Sequence, residues 1–126
     1  MNLQRERVFA IINKSEAELK SLKIGVLVRS TLPTIISDGL ITQTEMQKLE
    51  EETYSKITLN VNYAVLKKID NRFSVQENRM VKNYTRYYSG VFKNGDDEYL
   101  IASEWYKGSL ENYIKWLKRK VKRNNV

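Results

Sequence analysis

The chain has 126 residues, a hydrophobic fraction of 41% and a net charge of +7, enough length for one core and too much apolar content for a chain disordered throughout. It has no cysteine and no histidine, which excludes a disulfide framework, a thiolate metal site, the usual zinc ligand and every Ser-His or Cys-His nucleophile pair. No apolar run approaches the roughly 20 residues that span a bilayer, and Met1 to Arg7 lacks the apolar stretch of a signal peptide. The expectation is one cytoplasmic domain over residues 1–126, with no membrane partner.

Residues 3–22 read as a first helix, with Val8, Ile11, Ile12, Leu19 and Leu22 on one side. The pattern is clearer over 24–38, where Ile24, Leu27, Val28, Thr31, Leu32, Ile35 and Ile36 keep helical spacing. Pro33 inside it predicts a kink or local break, and Gly39 a left-handed stop. Thr42 and Glu45 form a capping box, so a third helix is expected to start there and run to about Thr53, with Met46 and Leu49 inward. Asn60 or Asn62 is then placed to cap a short fourth helix through Val65, Leu66 and Ile69. Residues 70–83 are polar and read as a loop.

From Tyr84 the residue types change. Tyr84, Tyr87, Tyr88, Val91 and Phe92 are strand formers. Asn94-Gly95-Asp96-Asp97 signals a turn, and Tyr99 to Ala102 reads as the return strand of a β-hairpin. Gly108-Ser109 opens a last helix with Leu110, Tyr113, Ile114, Leu117 and Val121 as its apolar stripe. Trp116 falls one step off the stripe and is expected to be partly exposed, whereas Trp105 is expected to be a core anchor. The tail from Arg123 to Val126 is expected to fray. The fold class is therefore α+β, mainly helical with about four to five helices, one β-hairpin and a C-terminal amphipathic helix. Helices at 43–53 and 62–69 followed by a hairpin also fit a winged-helix-like arrangement, in which the second helix reads the major groove; a helical bundle capped by a hairpin is the plainer alternative.

The charge is unevenly spread. Residues 65–93 carry seven basic and two acidic side chains, and 111–126 six and one, a net +5 in each. Two basic segments are what a phosphate-binding surface needs, and Lys-rich solvent faces are the bland alternative. The candidate nucleic-acid contacts are Lys67, Lys68, Arg72, Arg79, Lys82, Arg86, Lys115, Lys118, Arg119 and Lys122. In the densest cluster, from Lys82 to Tyr88, some rings are expected in the core and the basic groups on the surface. Asp96-Asp97-Glu98 is explained by the turn more simply than by a metal. The Glu-x-Lys triplet Glu18-Leu19-Lys20 lies on a predicted helix without a suitable acidic partner, so no catalytic residue, metal site or cofactor is assigned and the chain is read as a non-enzyme.

Three blocks carry a family resemblance. They are Ile24 to Val28 continuing to Ser37-Asp38-Gly39-Leu40-Ile41-Thr42; Leu49 to Lys56 followed by Asn62 to Leu66; and Arg86-Tyr87-Tyr88, Gly95, Tyr99 to Tyr106 and Trp116-Leu117. Over residues 24–118 the chain resembles a small uncharacterised domain found near the C-termini of bacterial restriction-associated and McrB-like defence proteins, although the family pattern has proline where this chain has Ala64. The resemblance implies a setting in bacterial defence or phage counter-defence, with DNA and defence nucleases as partners. The leading expectation is a non-catalytic DNA-binding module. The alternative is a protein-binding inhibitor or adaptor acting on a defence nuclease, of the anti-restriction or anti-CRISPR type, using an acidic face from Glu45 to Glu52 or an exposed apolar patch.

Overall fold

A computed structural model describes residues 3–121 of the chain. Among them are seven helices and five short strands: α1 (Leu3–Ile12), α2 (Glu16–Lys20), α3 (Ile24–Ser37), α4 (Gln43–Leu49), α5 (Glu52–Leu59), β1 (Leu66–Lys68), α6 (Val75–Asn78), β2 (Met80–Val81), β3 (Tyr84–Thr85), β4 (Phe92–Asn94), β5 (Asp97–Ile101) and α7 (Lys107–Lys120). The class is α+β, with more helices than the four to five expected.

The extra helices come from caps that interrupt apolar periodicity. The single helix expected over 3–22 is two, because Ser15 starts a new one. Its hydroxyl accepts the Glu18 N–H at 3.2 Å, while the Glu18 carboxylate accepts the Ser15 N–H. The carbonyls at the end of α1 are met from far away in sequence: Lys118 Nζ donates to those of Ile12 and Lys14 at 2.8 and 2.6 Å, which supplies partners that a helix end otherwise lacks. α3 runs unbroken through Pro33 and stops where Gly39 adopts φ +67°. Leu40 N–H reaches back to the Ile35 carbonyl and Gly39 N–H to that of Ile36, the paired closure of a Schellman motif.

The middle of the chain departs furthest from expectation. Thr42 caps α4, accepting from Glu45 N–H at 3.1 Å, but the reciprocal half of the expected box is missing because the Glu45 carboxylate accepts from Tyr54 and Lys120, and α4 ends at Leu49 with a separate α5 beginning at Glu52. Asn60 does not open a fourth helix; it ends α5 in the left-handed region at φ 58°. Asn62 instead donates to the Tyr106 hydroxyl at 2.7 Å. Buried Ser55 accepts the Val65 N–H at 3.1 Å, steering the chain into β1. The stretch expected to be a reading helix is thus a strand, and helices at 43–53 and 62–69 do not form a helix-turn-helix. β-branched Val65 and Ile69 flank β1, and their backbones pair with Ala102 and Glu98; burial beside a partner strand outweighs local helix preference here.

β5 is the centre of an antiparallel sheet ordered β1-β5-β4. The hairpin turn falls where Asn94-Gly95 predicts it, with Asn94 opposite Asp97 and Phe92 opposite Tyr99, the two rings stacked at 5.8 Å. The incoming arm is interrupted: Tyr87 bridges to Ala102, so the segment from Ser89 to Val91 bulges out of the ladder. The beginning of the expected arm turns away, because β3 pairs with β2 as a separate two-stranded ribbon.

One hydrophobic cluster joins α1, α3, α4, α5, the main sheet and α7. Trp116 is fully buried at 0% exposure, against the expectation of partial exposure, because α7 is covered on a broader arc than its five-residue stripe suggests. Its indole stacks on Tyr113 at 5.7 Å. Trp105, expected in the core, is half-buried; it packs on the core edge-to-face with Tyr113 and donates to the Ala102 carbonyl. The tail from Arg123 to Val126, expected to fray, lies outside the described residues.

Candidate nucleic-acid interface

Most of the cations expected to face phosphate are engaged inside the protein. Half-buried Lys67 donates to the Asn78 carbonyl and lies 5.6 Å from the Tyr87 ring centroid. Lys68 pairs with Asp97 at 3.3 Å. Arg72 grips Asp70 through both carboxylate oxygens, Nε at 3.0 Å and Nη2 at 2.7 Å, and this guanidinium pulls the Asp70 carboxyl down to about 2. Arg79 donates to the Tyr87 carbonyl at 3.0 Å and to Gln76 at 2.7 Å. Arg86 pairs with Glu104. On α7, Lys115 pairs with Glu111 at 3.1 Å, and Lys118 holds the α1 end. Lys82 and Arg119 are exposed with no partner among the described residues. Lys122 lies outside those residues.

These partnerships divide the ten positions. Lys67 and Arg79 meet at Tyr87, whose hydroxyl donates to the Ala64 carbonyl at 2.8 Å, while Arg86 lies against Glu104 and the Tyr63 and Tyr84 rings. Burial pushes the ionisation of Tyr87 up to about 12, with the nearby Glu52 carboxylate adding to it. On α7, Lys115 meets Glu111 of its own helix, Lys118 the end of α1 and Lys120 the Glu45 carboxylate of α4, so the paired cations of the two basic segments have separate partners.

The segment expected to be a polar loop is built. Ser74 and Glu77 form a reciprocal capping box on α6. Buried Asn78 closes the segment on itself: its Oδ1 accepts Asp70 N–H at 2.8 Å, and its Nδ2 donates to the carbonyls of Asp70 and Ser74 at 3.0 and 2.8 Å. An open groove of about 380 Å³ beside it is lined by Lys67, Asp70, Phe73, Glu77 and Asn78.

The β2–β3 ribbon follows directly. Val81 pairs with Tyr84 across a two-residue loop, Lys82-Asn83, in which both residues have positive φ, 50° and 70°. A type I′ turn requires that, and Gly or Asn is its usual occupant. Lysine with its Cβ in the left-handed region is strained by about 1 kcal/mol. Gln76 ties α6 to this ribbon by donating to Thr85 Oγ1 at 3.5 Å.

The tyrosines split as expected: Tyr87 is buried, Tyr88 half-buried and Tyr84 63% exposed. Tyr84 has the Arg86 guanidinium 4.9 Å from its ring centroid, and the same guanidinium lies 5.5 Å from Tyr63. Phe73, 51% exposed, has Arg72 at 5.7 Å. Tyr63 and Phe73 were not among the expected site residues; an aromatic next to an arginine in a polar stretch, as in Asn71-Arg72-Phe73-Ser74, was the available signal.

The acidic face expected from Glu45 to Glu52 is broken by the gap between α4 and α5. Glu45 accepts from Lys120 and Tyr54, both at 3.1 Å; partial burial opposes its ionisation, but these bonds outweigh it and hold the carboxyl below its usual range. Asp97 is engaged by Lys68, and among the described residues no group of three or more carboxylates is placed to share a metal ion. No helix among them is long and apolar enough to cross a membrane. Comparison with protein-family models, with characterised proteins and with solved structures yields no match to this chain.

Proposed function

We propose that this chain is a non-catalytic DNA-binding module that contacts its ligand through the β2–β3 ribbon, in the bacterial defence or phage counter-defence setting its family resemblance implies. The observation that carries the reading is Lys82. A long cation with no partner among the described residues sits at a turn position where glycine or asparagine would be unstrained. Strained backbone of this kind collects at binding and switch sites. A charge at a ribbon tip is also well placed to meet a phosphate.

The internal ion pairs narrow the contact surface without abolishing it. Lys68–Asp97 is about half exposed, and such a pair contributes little to stability, so phosphate can compete for Lys68 beside the ribbon contact. Arg86, the least exposed of these cations, is committed to Glu104 and to the Tyr84 and Tyr63 rings and serves to hold the surface.

A titration of labelled DNA at two salt concentrations tests the reading. Affinity should fall with salt as condensed counterions are released, and Lys82→Glu should flatten the log–log slope by about 0.7 to 0.9 for each phosphate that is no longer neutralised. Arg86→Glu is unsuitable as a partner variant, because the new carboxylate would face Glu104. Absence of DNA binding at low salt would overturn the reading. A protein-binding inhibitor or adaptor is favoured by a different observation, the exposure of Phe73 and Val75 beside the ribbon. It would give negligible DNA binding at physiological salt and a nuclease complex indifferent to Lys82→Glu.

A further inference from the structure

Two exposed rings in residues 70–86 are held by the same three-part device. Glu104 fixes the Arg86 guanidinium, which lies 4.9 Å from the Tyr84 ring centroid. Asp70 fixes the Arg72 guanidinium through two hydrogen bonds, and that group lies 5.7 Å from the Phe73 ring centroid. In each case a carboxylate orients a guanidinium, the guanidinium steadies a ring by cation–π attraction, and half or more of the aromatic residue is left to solvent. Burial orders an aromatic side chain by covering it. This device orders the ring while leaving apolar surface uncovered. The Gln76–Thr85 and Arg79–Tyr87 hydrogen bonds tie the two carriers together.

An uncovered, pre-oriented ring suits an unpaired nucleobase, which has a π-face to offer; a base within a duplex has both faces taken by its neighbours. Reading a duplex through the major groove calls for an inserted helix or a long two-stranded ribbon. Here the ribbon has two residues in each strand and α6 has four residues. We infer that the site takes single-stranded nucleic acid, with unpaired bases stacked on Tyr84 and Phe73 and a backbone phosphate beside Lys82, an inference that rests on the nucleic-acid reading above.

The test is a pair of fluorescence-anisotropy titrations, one with a labelled oligothymidine strand and one with a blunt duplex of equal length, on proteins whose folding is checked by circular dichroism. The single strand should bind more tightly. Tyr84→Ala should weaken it by roughly fivefold to 150-fold, the range set by stacking of one base on one aromatic ring, and leave the duplex nearly unchanged. Tyr84→Phe keeps the π-face and should stay within about twofold of the parent. Tighter binding of the duplex, or single-strand affinity unchanged in folded Tyr84→Ala and Phe73→Ala proteins, would overturn the single-strand inference while leaving salt-dependent DNA binding in place. Failure of both probes to bind at low salt would remove the nucleic-acid reading and the inference with it.

Discussion

Tyr113 and Tyr84 show one side chain used in opposite ways. Tyr113, on α7, is fully buried; it stacks on Trp116 and its hydroxyl lies 2.8 Å from that of Thr31. Burial pushes its ionisation well above the usual tyrosine range. Tyr84, on β3, is mostly exposed and held by Arg86 at one face. Around α7, aromatic surface is removed from water and stabilises the fold. In residues 70–86 it is kept in water and ordered by charge. The same division applies to lysine: Lys118 locks α1 to α7, whereas Lys82 projects from a strained turn.

The contrast can be broken most forcefully at the core. Trp116→Ala should destabilise the fold by about 3–5 kcal/mol in denaturant melts, whereas Tyr84→Ala should change stability by less than about 0.5 kcal/mol. Similar losses at both positions would mean that residues 70–86 belong to the core energetically. Trp116 Nε1 has no hydrogen-bond partner among the described residues, so Trp116→Phe should be markedly milder than Trp116→Ala. A smaller effect is expected at Thr31. Its hydroxyl donates to the Leu27 carbonyl at 2.7 Å, so the Tyr113 hydroxyl must donate to it. Thr31→Val would leave that buried donor unpaired, at about 1–3 kcal/mol. Tyr113→Phe leaves Thr31 bonded to Leu27 and should be milder in the same melts.

At the ribbon the sign reverses. Lys82→Gly relieves the left-handed strain and should stabilise the protein by about 1 kcal/mol, with a raised denaturant midpoint and weakened DNA binding. A stabilised variant with unchanged binding would separate the strain from the function. The smallest effect concerns Asp70, whose carboxyl sits near 2 in the folded protein against an ordinary 3.8. A lowered folded value means that the Asp70–Arg72 contact contributes above the ordinary value and fades as pH falls from about 4 to 2. NMR titration of the Asp70 carboxyl should show this, and Arg72→Ala should return it toward the ordinary range.

The parts of the fold legible in the sequence were those with a local cause. The periodicity of α3 and α7, the Gly39 stop, the Thr42 cap and the Asn94-Gly95 turn each follow from a few adjacent residues. Ser15-x-x-Glu18 was equally local and split the first helix, but apolar spacing across it concealed the break. Residues 65–69 carried no local answer, since a short apolar run suits helix or strand, and β5 decided it from more than thirty residues away. At the candidate site, the basic residues were legible and their partners were not. A lysine in a sequence does not announce whether it will meet Asp97, the Asn78 carbonyl or solvent. The left-handed pair Lys82-Asn83 was hidden because lysine seldom occupies that conformation.

If DNA is met at the ribbon tip, Lys115 on α7 serves its own helix through Glu111 and not the ligand. The decisive comparison is the salt dependence of single-stranded DNA binding for Lys82→Gln beside Lys115→Gln, each removing one charge from an exposed position. The expected result is a log–log slope shallower by about 0.7 for Lys82→Gln, one phosphate on a single strand, and an unchanged slope for Lys115→Gln. An unchanged slope for Lys82→Gln, or an equal reduction for both variants, would contradict it.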